Sequence, residues 1–482
     1  MYIVSLNWGS KFLKRMLFIA LILLASCAKF QSNPISSDEN ASSYQARNLN
    51  NPDLKVFMEK NLNHEISPWS PKTWDFAMLT LAAFYYHPDM DVARAQWGTA
   101  KAGISTAGGR PNPTLSFTPE FNTNAASGVS PWTLGFSLDI PIETAGKRRY
   151  RVAYAKNLSE SARLNIASVA WRVRSRLRVA LLKFYAANHS ETILLEQIAT
   201  QEEIKKLIER RFRLGEVSSP DITQMRLLFD QTRLSLLEAQ KQKAQAHVEI
   251  ANALGLPVNA LEEVDISLDA FDLLPPESEL SLKDIRRSAL VGRPDILGAL
   301  AEYQAGEAAL RLEIAKQYPD IQLGPGYTYD QGDNKWALGI SITVPVFNRN
   351  RGPIAETEAR RTEIAARFNA LQARIIAEND HALASYRAAL KNIEITEALL
   401  AEKKKYLESV QASFKAGEVD RLKLLNAQME YRSVELSRLD AFVAAQESLG
   451  LLEDSVQRPL NPLGPFPAVP ETNPRAERRN NQ

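Results

Sequence analysis

Four stretches of the chain alternate apolar and polar residues with a period of two, and nearly everything between them carries the pattern of long helices. Leu115, Phe117, Pro119 and Phe121 alternate with Thr114, Ser116, Thr118 and Glu120, and Trp132, Leu134, Phe136, Leu138 and Ile140 with Thr133, Gly135, Ser137 and Asp139. Further on, Ile321, Leu323, Pro325, Tyr327 and Tyr329 alternate with Gln322, Gly324, Gly326 and Thr328, and Trp336, Leu338, Ile340, Ile342 and Val344 with Ala337, Gly339, Ser341 and Thr343. This predicts strands with one apolar face at about 113–123, 131–141, 319–330 and 335–345. A length of about nine to eleven residues is what a tilted strand needs to cross a bilayer. Polar turns at 122–130 and 330–335 join the strands in pairs as hairpins.

Residues 147–213 and 352–415 contain one proline, Pro353, in a first turn where proline is tolerated. At 1.5 Å per residue each predicts a helical rod of roughly 100 Å, too long for one globular domain. In the second rod Tyr386, Ile393, Leu400, Leu407 and Phe414 fall seven apart, a coiled-coil stripe. Gly215 and Gly417 end the rods as helix C-caps, and helices return over about 220–254 and 420–449. Shorter helices, about 89–107 and 295–317, precede the two hairpins.

These elements are two copies of one module. His87-Pro88-Asp89 recurs as Arg293-Pro294-Asp295 at an offset of 206, and Trp132 to Ile142 recurs as Trp336 to Val346 at 204. Phe212-Arg-Leu-Gly-Glu-Val recurs as Phe414-Lys-Ala-Gly-Glu-Val at 202, and Ala253-Leu-Gly as Ser448-Leu-Gly at 195. An offset drifting in one direction indicates duplication followed by short deletions. The expected organisation is therefore a first helix–hairpin–helix repeat over 67–273 and a second over 274–455.

The ends read differently. Lys11, Lys14 and Arg15 precede a ten-residue apolar run, Met16 to Ala25, about half the length of a membrane-spanning helix, and residues 1–26 read as a signal peptide. Leu24-Ala25-Ser26-Cys27 resembles the lipobox of bacterial lipoproteins, which implies lipid attachment to Cys27 and, with Ala28 following, an outer-membrane destination. Residues 27–66 are expected to be a lipidated polar linker, and 456–482 a proline-rich, poorly ordered tail.

An apolar strand face in an otherwise helical chain needs a cover, and no spare apolar helix face is evident. Lipid would cover it. Strands cross hydrocarbon only in a closed barrel, such barrels need about eight strands, and four cannot close, so copies must share one. Lys147, Arg148 and Arg149 open the first rod, and Arg349 and Arg351 the second. Cations oppose the dipole at a helix start, which leaves lipid phosphate at the inner-leaflet boundary, or plain solvation, as their reason. A net charge of +2 gives no basic excess for nucleic acid. One cysteine excludes an intramolecular disulfide framework, and five scattered histidines (His64, His87, His189, His247, His381) give no metal-ligand spacing, so neither metal nor cofactor is expected.

With the duplicated order, the Pro-Asp before each short helix, Asn112-Pro113 and Tyr318-Pro319 opening the hairpins and the two Gly-Glu-Val turns, the chain resembles the TolC-type outer membrane efflux proteins over roughly Trp74 to Leu452. Asp139-Ile-Pro-Ile-Glu-Thr-Ala-Gly-Lys-Arg is most similar to the cobalt-zinc-cadmium efflux branch. The resemblance implies a mainly α chain with a small membrane β-barrel: a homotrimer with a twelve-stranded barrel above a twelve-helix periplasmic tunnel of antiparallel coiled coils. It also implies that the tips at Phe212, Leu214, Gly215, Glu216, Phe414, Gly417, Glu418 and Val419 meet a periplasmic adaptor, which bridges to an inner-membrane pump. In the best-studied relatives acidic residues six and nine positions after the second tip glycine narrow the tunnel. Here those positions are Lys423 and Asn426, which leaves Glu418, Asp420 and Asp221 as candidates.

The function expected is a passive outer-membrane duct for small molecules or metal cations delivered by the pump. A structural tether without a pore is the alternative. An envelope hydrolase would need a nucleophile and base, and the carboxylates Glu302, Glu307 and Glu313 read as a solvated helix face.

Overall fold

Glycine, proline and side-chain caps divide the chain into a few very long elements. The computed structural model describes residues 30–280 and 282–460, together with 469, 471, 474 and 475. It has two compact units, residues 1–47 and 48–482. In the first, helix α1 (Ser37–Gln45) starts where Ser36 accepts a hydrogen bond from the Glu39 N–H, and it buries none of its residues.

The second unit is mostly helical. It opens with α2 (Pro52–Leu62), β1 (Thr73–Trp74), α3 (Phe76–Tyr86) and α4 (Pro88–Gly108), then a hairpin of β2 (Thr114–Phe121) and β3 (Trp132–Ile142). The rod α5 (Lys147–Arg213) and its return α6 (Ser219–Leu254) follow, then β4 (Asp265–Ile266) and α7 (Leu282–Val291). The second copy runs through α8 (Pro294–Ala315), β5 (Ile321–Asp330), β6 (Asp333–Ile342), α9 (Arg351–Lys415) and α10 (Arg421–Val456). With 67 and 65 residues, α5 and α9 are each roughly 100 Å long.

Three expectations need correction. Residues 27–66 are not all linker, because α2 buries Leu54, Phe57 and Met58 in the main core. Helix α10 runs seven residues beyond Leu449, through Gly450, and stops at Gln457, whose φ is 50°. The tail is not merely loose chain either: Val469 packs on the main core and Glu471 pairs with Arg163 at 2.8 Å.

The core sits where the rods cross the short elements. Helix α3 is apolar on every side and buries nine of its eleven residues against α2, α5 and α6. Such a helix belongs inside a core, and each large side chain it buries contributes about 1.5–3 kcal/mol. The sheet therefore gains no cover from it. Beside this apolar centre a buried polar seam joins the two copies. Arg174 and Arg178 of α5 face Glu453 of α10 at 3.2 and 3.6 Å, Arg178 donates to Gln446 Oε1 at 3.0 Å, and Gln446 donates to the Leu273 carbonyl at 2.9 Å. Trp171 and Ser175 each donate to Asp454 at 2.7 Å. Burial pushes the Asp454 carboxyl above the usual range and the Arg178 guanidinium below its own.

Candidate functional site

The four long strands form one antiparallel sheet in the order β2-β3-β5-β6, and its register decides what each face is made of. Phe117 pairs with Phe136, Phe136 with Tyr327 and Tyr327 with Trp336, a row of aromatic rings across all four strands. Toward the hairpin turns Pro119, Leu134 and Tyr329 align, and toward the helices Ile142, Ile321 and Ile342 do. Because strand side chains alternate faces, the opposite face carries Ser116, Ser137, Gly326 and Ala337 in one row and Thr118, Gly135, Thr328 and Lys335 in the next. The apolar face is exposed on β6, where Trp336 is 83% exposed, Leu338 67% and Ile340 66%, and half-buried along β5. Among the described residues the outer edges of β2 and β6 have no strand partner. Among the described residues no helix is long and apolar enough to cross a membrane.

At the helix end of the sheet the basic cluster has protein partners. Lys147 is buried and donates to Asp320 Oδ1 at 2.7 Å, and the Thr144 N–H donates to the same oxygen at 2.9 Å. Burial alone would raise the Asp320 carboxyl, but Lys147 and Thr144 outweigh it and hold the group below the usual range. Arg148 donates to the Gly108 carbonyl at 2.6 Å; Arg151 donates to Ala107 and Gly109 carbonyls at 2.8 and 2.9 Å and forms an ion pair with Glu143. Arg148 and Arg151 thus satisfy the carbonyls ending α4, where positive charge is favoured, while Lys147 is held by Asp320. Lys147 and Arg148, expected at a lipid boundary, thus have protein partners. Arg149 packs on the Tyr150 ring, while Arg349 and Arg351 are exposed. Sequence reasoning missed Asp320 and Glu143, whose partners lie far off in sequence or across a turn.

At the far end the two tips have one geometry. The Gly215 N–H donates to the Phe212 carbonyl at 2.9 Å and the Glu216 N–H to the Arg211 carbonyl at 2.9 Å. Gly417 repeats this with Phe414 at 3.0 Å and Glu418 with Ser413 at 2.9 Å. Both glycines have φ of 77°, the left-handed conformation this cap requires. Phe212 and Leu214 are exposed, Glu216 and Glu418 too, and Phe414 and Val419 pack within their own hairpin.

The candidate acidic residues differ among themselves. Asp221 accepts from the Ser218 hydroxyl and N–H at 2.6 and 2.8 Å, starting α6, and its carboxyl is held low by them. Asp420 starts α10 by accepting from the Lys423 N–H at 2.8 Å and pairs with Arg211 at 2.7 Å, again held low, chiefly by the arginine. Glu418 has no ion-pair partner among the described residues. Above the tips α5 and α10 are tied by Arg211–Asp420, by Glu203–Arg421 at 2.5 Å and by Glu196–Arg432. Cys27 and the apolar run before it lie outside the described residues.

The family model described as "Outer membrane efflux protein" matches residues 83–256 and 285–453. The cobalt-zinc-cadmium resistance protein CzcC of Cupriavidus metallidurans is 25% identical over 367 residues, covering 74% of this chain and 83% of that protein. The pyoverdine export outer membrane protein OpmQ of Pseudomonas aeruginosa is 22% identical over 346 residues, covering 68% and 72%. Among solved structures, CusC superimposes with a TM-score of 0.62 at 18% identity, covering 89% of this chain and 99% of that one. The Campylobacter jejuni CmeC outer membrane channel gives 0.64 at 16% identity, covering 95% and 98%. At such identities the structural likeness shows the fold.

Proposed function

The chain belongs to the outer membrane efflux protein family, and from that premise we propose that it is the passive outer-membrane duct of a three-part export machine. Three copies share a barrel of twelve strands, anchored in addition through a lipid on Cys27. The rods and their returns form a tunnel of twelve helices in the periplasm.

The observation that carries this reading is the sheet: an apolar face continuous over four strands and exposed on the two edge strands, a face of mostly small residues opposite, and two edges with no strand partner among the described residues. In hydrocarbon an unpaired edge leaves N–H and C=O groups unsatisfied. Pairing β6 of one copy with β2 of the next satisfies both edges and turns the polar faces toward a lumen. A tether without a pore would need the rods and the anchor, but would leave this sheet without a purpose.

The tips dock a periplasmic adaptor, with Phe212 and Leu214 offering exposed apolar side chains beside Gly215, Glu216, Gly417 and Glu418. Arg149, Arg349 and Arg351, all exposed, would meet lipid phosphate at the inner leaflet. Glu418, whose carboxylate has no ion-pair partner among the described residues, is the candidate for a threefold acidic constriction. Cargo is a metal cation or a small organic compound, with selection by the pump. The relatives' names point both ways, one to cobalt, zinc and cadmium, another to pyoverdine.

Purified protein in a planar bilayer should give single-channel conductance from a trimer. A trimer that stays sealed under voltage and acid would contradict the duct. Deleting the gene separates the cargoes: raised sensitivity to metals supports the metal branch, and raised sensitivity to organic compounds alone removes it.

A further inference from the structure

Helices α3 and α4 meet at a single residue, His87. Its N–H donates to the Ala83 carbonyl at 2.8 Å and ends α3, and its carbonyl accepts from the Met90 N–H at 3.1 Å. Its Nδ1 starts α4 by accepting from the Asp89 N–H at 3.1 Å. Serine, threonine, asparagine or aspartate usually holds such a position, and a histidine there differs from them in losing its acceptor when it binds a proton. An imidazole whose Nδ1 accepts carries its hydrogen on Nε2, so this cap exists only in the neutral form. The residue has little room to move: it is 7% exposed, and Gly255 at the end of α6 lies so close that a Cβ there would come within 2.8 Å of His87 Cα.

The charges around the ring offer its protonated form a different partner. Asp89 Oδ2 lies 4.0 Å from Nδ1, and the same oxygen is held by Arg176 of α5 at 2.8 Å. Asp91, further along α4, pairs with Arg94 at 3.6 Å and with Arg475. Burial pushes the His87 imidazole below its ordinary value; Asp89 and Asp91 pull the other way, and Arg176 adds to the lowering. The second copy lacks this chemistry. Arg293 stands at the matching position, and its guanidinium holds the Asp295 carboxylate at 2.6 and 3.0 Å. An arginine stays charged throughout the physiological range, so that joint is indifferent to pH.

We propose that His87 is a proton-operated joint in the first repeat: neutral, it caps α4; protonated, it drops the Asp89 N–H, takes the Asp89 carboxylate from Arg176, and opens the first turn of α4. The tie between α4 and α5 is released in the same step. The sign follows from the lowered value: the stabilisation is intact above the unfolded pKa of about 6.5 and is lost as pH falls through the folded one. The joint uses none of the strand or tip residues and does not rest on the duct: a chain that conducts without this pH response leaves the duct standing.

Amide hydrogen exchange of the full chain in detergent, corrected for the intrinsic effect of pH on exchange, tests it. Peptides covering residues 88–94 should lose protection severalfold between about pH 7.5 and 5.5, and peptides covering 294–300 should not. His87→Asn, which keeps an acceptor but does not titrate, should abolish the loss. Arg176→Ala removes the competing cation and should move the midpoint of the loss to higher pH, whereas Asp89→Asn removes the new partner and should move it lower. Arg176 and Asp89 are exposed, so these two variants carry the test even where His87→Asn fails to fold. An equal loss in the two repeats, a loss that survives His87→Asn, or a midpoint that ignores both Arg176→Ala and Asp89→Asn overturns the proposal.

Discussion

Gly255 and Gly450 occupy matching positions in the two copies, and each is a glycine for a different reason. Gly255 closes α6 in the left-handed region at φ 73°, and a Cβ there would come within 2.8 Å of His87 Cα and the Tyr86 carbonyl oxygen, both main chain. Gly450 lies inside α10, where a Cβ would meet Arg178 Nη1 at 2.2 Å. The second copy thus spends its glycine on a buried guanidinium instead of a helix end, and α10 continues past it. The tips offer the control, since nothing lies within 4 Å of a Cβ at Gly215 or Gly417. Gly215→Ala should therefore cost only left-handed strain, about 1–2 kcal/mol. Gly255→Ala carries the same strain plus a main-chain collision and should cost roughly 3–5 kcal/mol. Thermal unfolding of the two variants in detergent checks the order, and equal losses would show that His87 and Tyr86 give way freely.

Among the elements, the rods with their stop glycines and the paired strands were legible because their signals are local: a period, a missing proline, a repeated Gly-Glu-Val. The heptad stripe is an example, with Tyr386 and Ile393 buried as its spacing requires. Helix α3 was missed because an apolar run of eleven residues shows no periodicity, and the Arg174–Glu453 seam because a charged residue inside a helix reads as solvated until its partner 279 positions away is placed. The same blindness hid Asp320. Its folded carboxyl titrates below the ordinary value, so its contribution is present above the unfolded pKa of about 3.9 and disappears as pH falls through the folded one. Asp320→Asn should cost about 2 kcal/mol at neutral pH by stranding buried Lys147, a figure moderated by the part-exposed carboxylate. The gap from the parent should close below about pH 4, as acid unfolding curves would reveal. At the other end, the three pairs tying α5 to α10 hold the two hairpins together just above the tips. Substituting Arg211→Glu together with Arg421→Glu replaces two attractions by repulsions at Asp420 and Glu203. Bilayer conductance should rise severalfold with trimer yield unchanged, whereas an unaltered conductance would mean that these pairs do not hold the passage narrow.

For the whole molecule the decisive question is which side of the sheet meets lipid. The register makes a sharp contrast available on neighbouring residues of β6, where Leu338 belongs to the apolar face and Ser341 to the polar one. If Leu338 faces acyl chains, Leu338→Arg places a charge in hydrocarbon at a cost of about 2–4 kcal/mol per chain near the midplane, and three copies triple it. If Ser341 faces a lumen, Ser341→Arg stays in water and costs assembly little, while three added guanidinium groups narrow the bore and repel cations. The expected pattern is loss of the membrane-inserted trimer for Leu338→Arg, and a normal trimer with reduced, less cation-favouring conductance for Ser341→Arg. Membrane fractionation and bilayer recording read the two arms separately. A soluble protein would bury the same apolar face against protein, so Leu338→Arg would be disruptive there too, and the discriminating arm is Ser341→Arg: its trimer would stay out of the membrane fraction and there would be no conductance for the new charge to alter. That outcome would remove the barrel, and with it the reason for three chains to associate.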